Sequence, residues 1–231
     1  MTQFTAADLQ ALPLFVSLSL EQCNLLLDRH RQSSHVADQV FVLEQDWGES
    51  LFLLQSGLAK VRTFTSDGDE IVLSVLGEGD VFGEMAALDG AARAADVVAL
   101  TPVTVLKLRG APFAGLLHQE VGLALALARL EASRLRDLNQ RFALLSSDAT
   151  SRLLAALAYL ARRSSSADDP LALIPALAQR EIGLLAGLAR ETASRTLSKL
   201  RSRGIVVGDA GGLRIATLEP LLKRGLVAPP G

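Results

Sequence analysis

Phe82-Gly83-Glu84, followed nine residues later by Arg93-Ala94-Ala95, sets an acid and a base in a stretch of mostly small and apolar residues. A carboxylate accepts hydroxyl protons, a guanidinium pairs with phosphate through two parallel donors, and a small-residue turn exposes backbone N–H groups to an anion. Together these suit a phosphorylated sugar. The alternative is a structural ion pair of Arg93 with Asp89 or Asp96, although a lone Arg between alanines has little other reason to enter a core.

A second cluster spans residues 179–200. Two helical stretches, 179–186 and 190–203, flank Gly187-Leu188-Ala189, and Leu197 and Leu200 lie behind the second. Short helices around a tight turn make a helix-turn-helix, whose second helix enters the major groove. At 3.6 residues per turn Glu191, Ser194 and Arg195 share a face with Arg190 beside it. Arg suits guanine O6 and N7, and Glu suits the cytosine amino group. The competing reading is a solvated helix carrying a Glu191–Arg195 pair worth about 0.2–0.5 kcal/mol. The surroundings favour DNA: residues 148–231 carry a net charge of +5, whereas residues 1–147 carry −7. Lys199, Arg201, Arg203 and Arg214 supply phosphate contacts, and Gln179 opens the pair of helices.

The elements that must position these residues follow from the apolar pattern. After helical stretches at 5–12 and 20–29, short apolar runs at 40–43, 50–54, 59–64, 70–76, 97–100 and 104–108 predict strands of a compact barrel or sandwich. Ser66-Asp67-Gly68-Asp69 is expected to turn a hairpin. Trp47 and Phe52 are expected in the barrel core. Residues 121–145 predict a helix of about 24 residues. Its seam of Val121, Ala124, Ala128, Glu131, Leu135, Leu138, Phe142 and Leu145 is apolar except at Glu131 and suits a coiled-coil pair. Leu123, Leu127 and Leu130 form a second stripe for the barrel. A helix buried inside a monomer is the alternative. A helix over 150–163, a loop at 164–170 and a closing hairpin of 205–207 with 213–215 complete the chain.

Composition removes other classes. With 231 residues, about half of them apolar, the chain can build two modest cores. Cys23 is the only cysteine, too few for an iron–sulfur cluster or a cysteine-built zinc site. His30, His35 and Asp38 have no fixed spacing for a metal, and no metal site is expected. The start of the chain lacks a signal-peptide pattern and no apolar run spans a bilayer, so no membrane role and a cytoplasmic location are expected.

The order of the motifs carries a resemblance. Phe82-Gly83-Glu84 with Arg93-Ala94-Ala95 resembles the phosphate-binding cassette of cyclic-nucleotide-binding domains. With the long heptad helix and the helix-turn-helix, essentially the whole chain resembles the cyclic-AMP receptor protein and fumarate-nitrate reduction regulator (CRP/FNR) family of bacterial transcription factors. The resemblance implies an α+β fold: an N-terminal cyclic-nucleotide-binding β-roll (jelly-roll-like barrel) at 1–118, a dimerisation helix at 119–147 and a C-terminal winged helix-turn-helix at 148–231. It also implies cyclic AMP as effector, with Glu84 on the ribose 2′-hydroxyl, Arg93 on the cyclic phosphate, and Gly83, Ala94 and Ala95 as backbone donors. Ala94 lacks the hydroxyl some cyclic-GMP-binding relatives use, which favours cyclic AMP. Alignment back from residues 148–152 puts Asp137 where relatives meet the adenine; a solvated Asp is the alternative.

The implied partners are a second copy of the chain and double-stranded DNA with a two-fold-symmetric operator. Its half-site is expected to resemble TGTGA, with TTGAT as the alternative; the DNA-binding set is Arg190, Glu191, Ser194 and Arg195 facing the bases, with Gln179 and Lys199 beside them. Loop 164–175 lies where relatives can touch RNA polymerase. Competing functions are a regulator with no cyclic-nucleotide response, a nucleotide-binding adaptor without DNA function, and a phosphodiesterase. The last would need clustered metal ligands or an activated nucleophile that the sequence does not show.

Overall fold

The computed structural model describes residues 4–228. In chain order it contains α1 (Ala6–Gln10), α2 (Leu20–Leu27), β1 (Arg31–His35), β2 (Val40–Val42), β3 (Leu51–Ser56), β4 (Ala59–Phe64) and β5 (Glu70–Leu76). Next come β6 (Val81–Phe82), α3 (Glu84–Asp89), β7 (Asp96–Ala99), β8 (Val103–Leu108), α4 (Gly110–Gln119) and α5 (Val121–Ala143). The chain finishes with α6 (Ala149–Arg163), β9 (Ile174–Pro175), α7 (Gln179–Leu185), α8 (Arg190–Ser202), β10 (Val206–Asp209), β11 (Gly212–Ile215) and α9 (Glu219–Leu222). Two compact units result. The first comprises the described residues up to 57 with 79–137, and the second 58–78 with the residues from 138 onward.

In the first unit, β1, β8, β3 and β6 form an antiparallel sheet in that order. Leu51 pairs with Leu108 and Leu53 with Leu106, and all four are buried. Helices α1 and α2 each begin with a reciprocal capping box, Thr5 with Asp8 and Ser19 with Gln22, which satisfies otherwise orphaned N–H groups. They bury Leu9 and Leu26 against Phe113 of α4 and Leu123 and Leu127 of α5. Each such side chain contributes about 1.5–3 kcal/mol when taken from water. The Leu123–Leu127 stripe of α5 thus enters the core, with Leu130 packed against it, while Val121 and Leu135 stay exposed, as do Leu138, Phe142 and Leu145 of the second unit.

In the second unit, β4 and β5 form a hairpin whose turn carries Gly68 at φ +83°. Arg141 at the end of α5 donates to the carbonyls of Val72 and Leu73 and lies 5.2 Å over the Tyr159 ring. The Tyr159 hydroxyl accepts from the Val75 N–H. Helix α6 buries Leu153, Leu154, Leu157 and Leu160, and β10, β11 and β9 form the small sheet that closes the unit.

Several expectations shift. Trp47 lies 80% exposed, not in the core: it sits in a polar stretch, Gln45-Asp46 and Gly48-Glu49-Ser50, that runs outside any strand. Phe52 is half-buried and stacks on Phe82 at 5.2 Å. Strand β1, Arg-Gln-Ser-Ser-His, had no apolar alternation to announce it, because it is a mostly exposed strand at the sheet edge. The 121–145 helix ends at Ala143 and tightens into a 3₁₀ turn over Leu144–Ser146.

Candidate functional site

The cassette is built at the junction of β6 and α3. Gly83 adopts φ +79°, a left-handed conformation that glycine enters without strain. A Cβ there would also lie 2.6 Å from Arg93 Nη1 and 3.0 Å from the Ser50 carbonyl. Both the turn and the close approach therefore require glycine.

Arg93 is buried, yet its guanidinium is held by carbonyls: Nη1 donates to Gly83 O at 2.8 Å and Nη2 to Ser50 O at 2.6 Å. Its guanidinium carbon lies 5.4 Å from the Phe52 ring centroid. Its backbone is pinned as well, with Arg93 N–H donating to Asp46 O and Gln45 N–H to Arg93 O. Asp89 and Asp96 do other work: Asp89 accepts from the Ala91 N–H, and Asp96 accepts from the Glu44 N–H. Carbonyl partners fix the guanidinium without cancelling its charge, and burial pushes its pKa down while Glu84 and Asp46 push it back up.

Glu84 is 4% exposed. Its Oε1 accepts from Arg134 Nη1 at 2.7 Å, and the same nitrogen lies 3.0 Å from Glu131. Arg134 also donates through Nη2 to the Val81 carbonyl. Burial pushes the Glu84 carboxyl above its ordinary value; Arg134 opposes that rise and Glu131 adds to it. The second oxygen, Oε2, is buried without a hydrogen-bond partner among the described residues. An acceptor left bare in this way costs about 1–3 kcal/mol and fits a hydroxyl donor on a ligand.

Reasoning from the sequence missed Arg134. The seam containing Glu131 was visible, but the i,i+3 pair of Glu131 and Arg134 reads as surface charge until the fold brings Glu84 to it. Ala94 is exposed and Ala95 half-buried, just past Arg93. Asp137 is half-buried on α5, one turn beyond Arg134.

In the second unit, α7 and α8 meet through Gly183 and Ala193, and Gly187 turns between them at φ +60°. Arg152 donates to the Ala186 and Gly187 carbonyls and holds that turn. Helix α8 buries Ala193, Thr196, Leu197 and Leu200, which leaves Arg190, Glu191, Arg195 and Lys199 exposed and Ser194 half-exposed. Arg195 lies 3.5 Å from Glu191, a loose surface pair. Gln179 is exposed at the start of α7. His30 and His35 serve structure: His30 Nδ1 lies 2.6 Å from Leu27 O, and His35 stacks on Phe41. Among the described residues no single helix is long and apolar enough to cross a membrane.

Residues 33–120 match the cyclic nucleotide-binding domain, and residues 151–224 the Crp-like helix-turn-helix domain. The chain is 34% identical over 197 residues to the cyclic AMP receptor protein of Thermus thermophilus, covering 84% of this chain and 88% of that protein. The chain belongs to the CRP/FNR family of transcriptional regulators. This CRP/FNR regulator is also 28% identical over 183 residues to the CRP-like cAMP-activated global transcriptional regulator of Mycobacterium tuberculosis, covering 78% of this chain and 82% of that one. In fold it is similar to FixK2 from Bradyrhizobium japonicum, with a TM-score of 0.73 at 23% identity, covering 87% of this chain and 99% of that one. Transcription regulation, DNA binding through a helix-turn-helix and a cyclic nucleotide-binding domain are therefore properties of this CRP/FNR regulator.

Proposed function

We infer that this regulator is a homodimer whose DNA binding is controlled by cyclic AMP. Glu84 Oε2, buried and bare, accepts the ribose 2′-hydroxyl, and Arg93 pairs with the cyclic phosphate. Gly83, Ala94 and Ala95 contribute main-chain donors, and Asp137 accepts from the adenine amino group. The observation that carries this reading is Glu84 Oε2, buried without a hydrogen-bond partner among the described residues. The Glu84–Arg134 pair joins that acid to α5, whose exposed Leu135, Leu138 and Phe142 form the seam for a second copy. A ligand that changes the Glu84–Arg134 geometry biases the helix, and only its differential affinity for the two arrangements drives the switch.

The exposed face of α8 reads a two-fold-symmetric operator with TGTGA-like half-sites through Arg190, Glu191, Ser194 and Arg195, while Gln179 and Lys199 hold phosphate. The segment 164–175, a loop that ends in β9, is assigned to RNA polymerase contact, and the protein acts in the cytoplasm. A second reading is favoured by the same pair. Arg134 already satisfies one oxygen of Glu84, as in a regulator whose cassette is closed without a nucleotide.

Calorimetric titration of the full chain with cyclic AMP and cyclic GMP separates the two. Saturable heat with cyclic AMP, abolished in Arg93→Leu, supports the first reading. Silence with both nucleotides from a folded protein supports the second.

A further inference from the structure

A buried charge cluster in the second unit has no part in the cassette. Lys60 of β4 is 3% exposed, and its Nζ lies 2.5 Å from Glu70 Oε1 of β5 and in contact with Glu181 Oε2 of α7. Arg180 Nη2 lies 3.0 Å from Glu70 Oε2, and Arg62 Nη1 3.5 Å from the same oxygen. The hairpin and the first helix of the helix-turn-helix are thus joined by charges more than 100 residues apart in sequence.

Leaving one of these charges buried and unpaired is costly, so Lys60 and Glu70 are held only while their partners stay in place. Glu70 and Lys60 have side chains only 5% and 4% exposed, whereas Arg180 is 66% exposed. Arg180 is the member that a polyanion can reach. It sits in the first turn of α7, and in a helix-turn-helix the first helix crosses the DNA backbone. Glu70 competes for the same guanidinium and adds negative charge where phosphate must approach.

We propose that Lys60, Glu70, Arg180 and Glu181 form a charge latch that holds α7 to the β4–β5 hairpin and withholds Arg180 from DNA phosphate. The latch rests on the family's DNA binding and is independent of which effector the cassette takes. Releasing Glu70 frees Arg180, so DNA and the hairpin are competitors for one side chain.

The test is a double-mutant cycle with the full chain and a fluorescent duplex of about three helical turns carrying two inverted TGTGA half-sites. Glu70→Gln keeps the shape and removes the charge. The latch predicts about fivefold or more tighter duplex binding in Glu70→Gln, and no such gain when Arg180→Ala is also present. An equal gain in both backgrounds reduces the effect to general electrostatics and overturns the latch. Unchanged or weaker binding in Glu70→Gln overturns it too. Hydrogen exchange on the unsubstituted protein gives a reading that needs no variant to fold. Faster exchange in β4 and β5 when duplex is added supports the latch, and unaltered exchange there contradicts it.

Discussion

Arg134 of α5 donates a 2.7 Å hydrogen bond to Glu84, the buried acid at the start of α3. The same guanidinium holds the Val81 carbonyl at the end of β6, so one side chain ties both flanks of the Gly83 turn to the long helix. Removing it strands a carboxylate that is 4% exposed. Arg134→Met is expected to lower stability by about 3 kcal/mol near neutral pH, at the low end for a broken buried pair because the guanidinium is partly solvated. Urea unfolding of the two proteins measures the difference.

The pH dependence has a defined sign. Burial raises the folded-state pKa of Glu84 above its ordinary 4.5, so the native state binds the extra proton in the window between the two values. The Glu84 contribution to stability is therefore complete below 4.5 and is lost as pH rises through the raised pKa. Glu84→Gln removes that loss. The difference in unfolding free energy between Glu84→Gln and the unsubstituted protein is expected to grow in favour of the glutamine form as pH rises from about 4.5 toward 7. A difference that stays flat contradicts the assignment.

Gly83→Ala meets two obstacles at once, the positive φ and the Arg93 guanidinium 2.6 Å from the new Cβ. The conformational cost alone is about 1–2 kcal/mol. A lowered midpoint in urea and weaker cyclic AMP binding are both expected, the second because Arg93 must move. Calorimetry and denaturation on one variant check the two effects separately.

The sequence carried these two sites unequally. The bounds of β4 and β5 follow from apolar-rich runs ended by turn residues, and both agree with the structure. Helix α8 was readable because its apolar face, Ala193, Leu197 and Leu200, repeats at helical spacing. Arg134, Lys60 and Glu70 were not. Their partners lie 50, 121 and 110 residues away in pairs that periodicity does not register. Trp47 failed for a related reason: an aromatic residue predicts burial only if the fold supplies a wall for it.

On α8 the exposed residues divide into two kinds. Arg190→Ala and Arg195→Ala are expected to cost about 1–3 kcal/mol each on a TGTGA-bearing duplex and to relax its sequence preference. Lys199→Ala weakens binding to all duplexes alike and lowers the salt slope by about one. Fluorescence anisotropy over a range of salt concentrations distinguishes them.

The seam of α5 exposes Leu135 at 57% and Phe142 at 74%, and in the proposed homodimer both face the second copy. In the proposed homodimer, Leu135→Asp is expected to leave only monomer, read by sedimentation equilibrium. A monomer already in the unsubstituted protein would remove α5 as a dimer seam.

Control of DNA binding by the cassette is tested most directly by duplex affinity with and without saturating cyclic AMP, in the unsubstituted protein and in Arg93→Leu. The expected result is a change of about fivefold or more on adding the nucleotide, absent in Arg93→Leu. Equal affinities with and without cyclic AMP in the unsubstituted protein would contradict it.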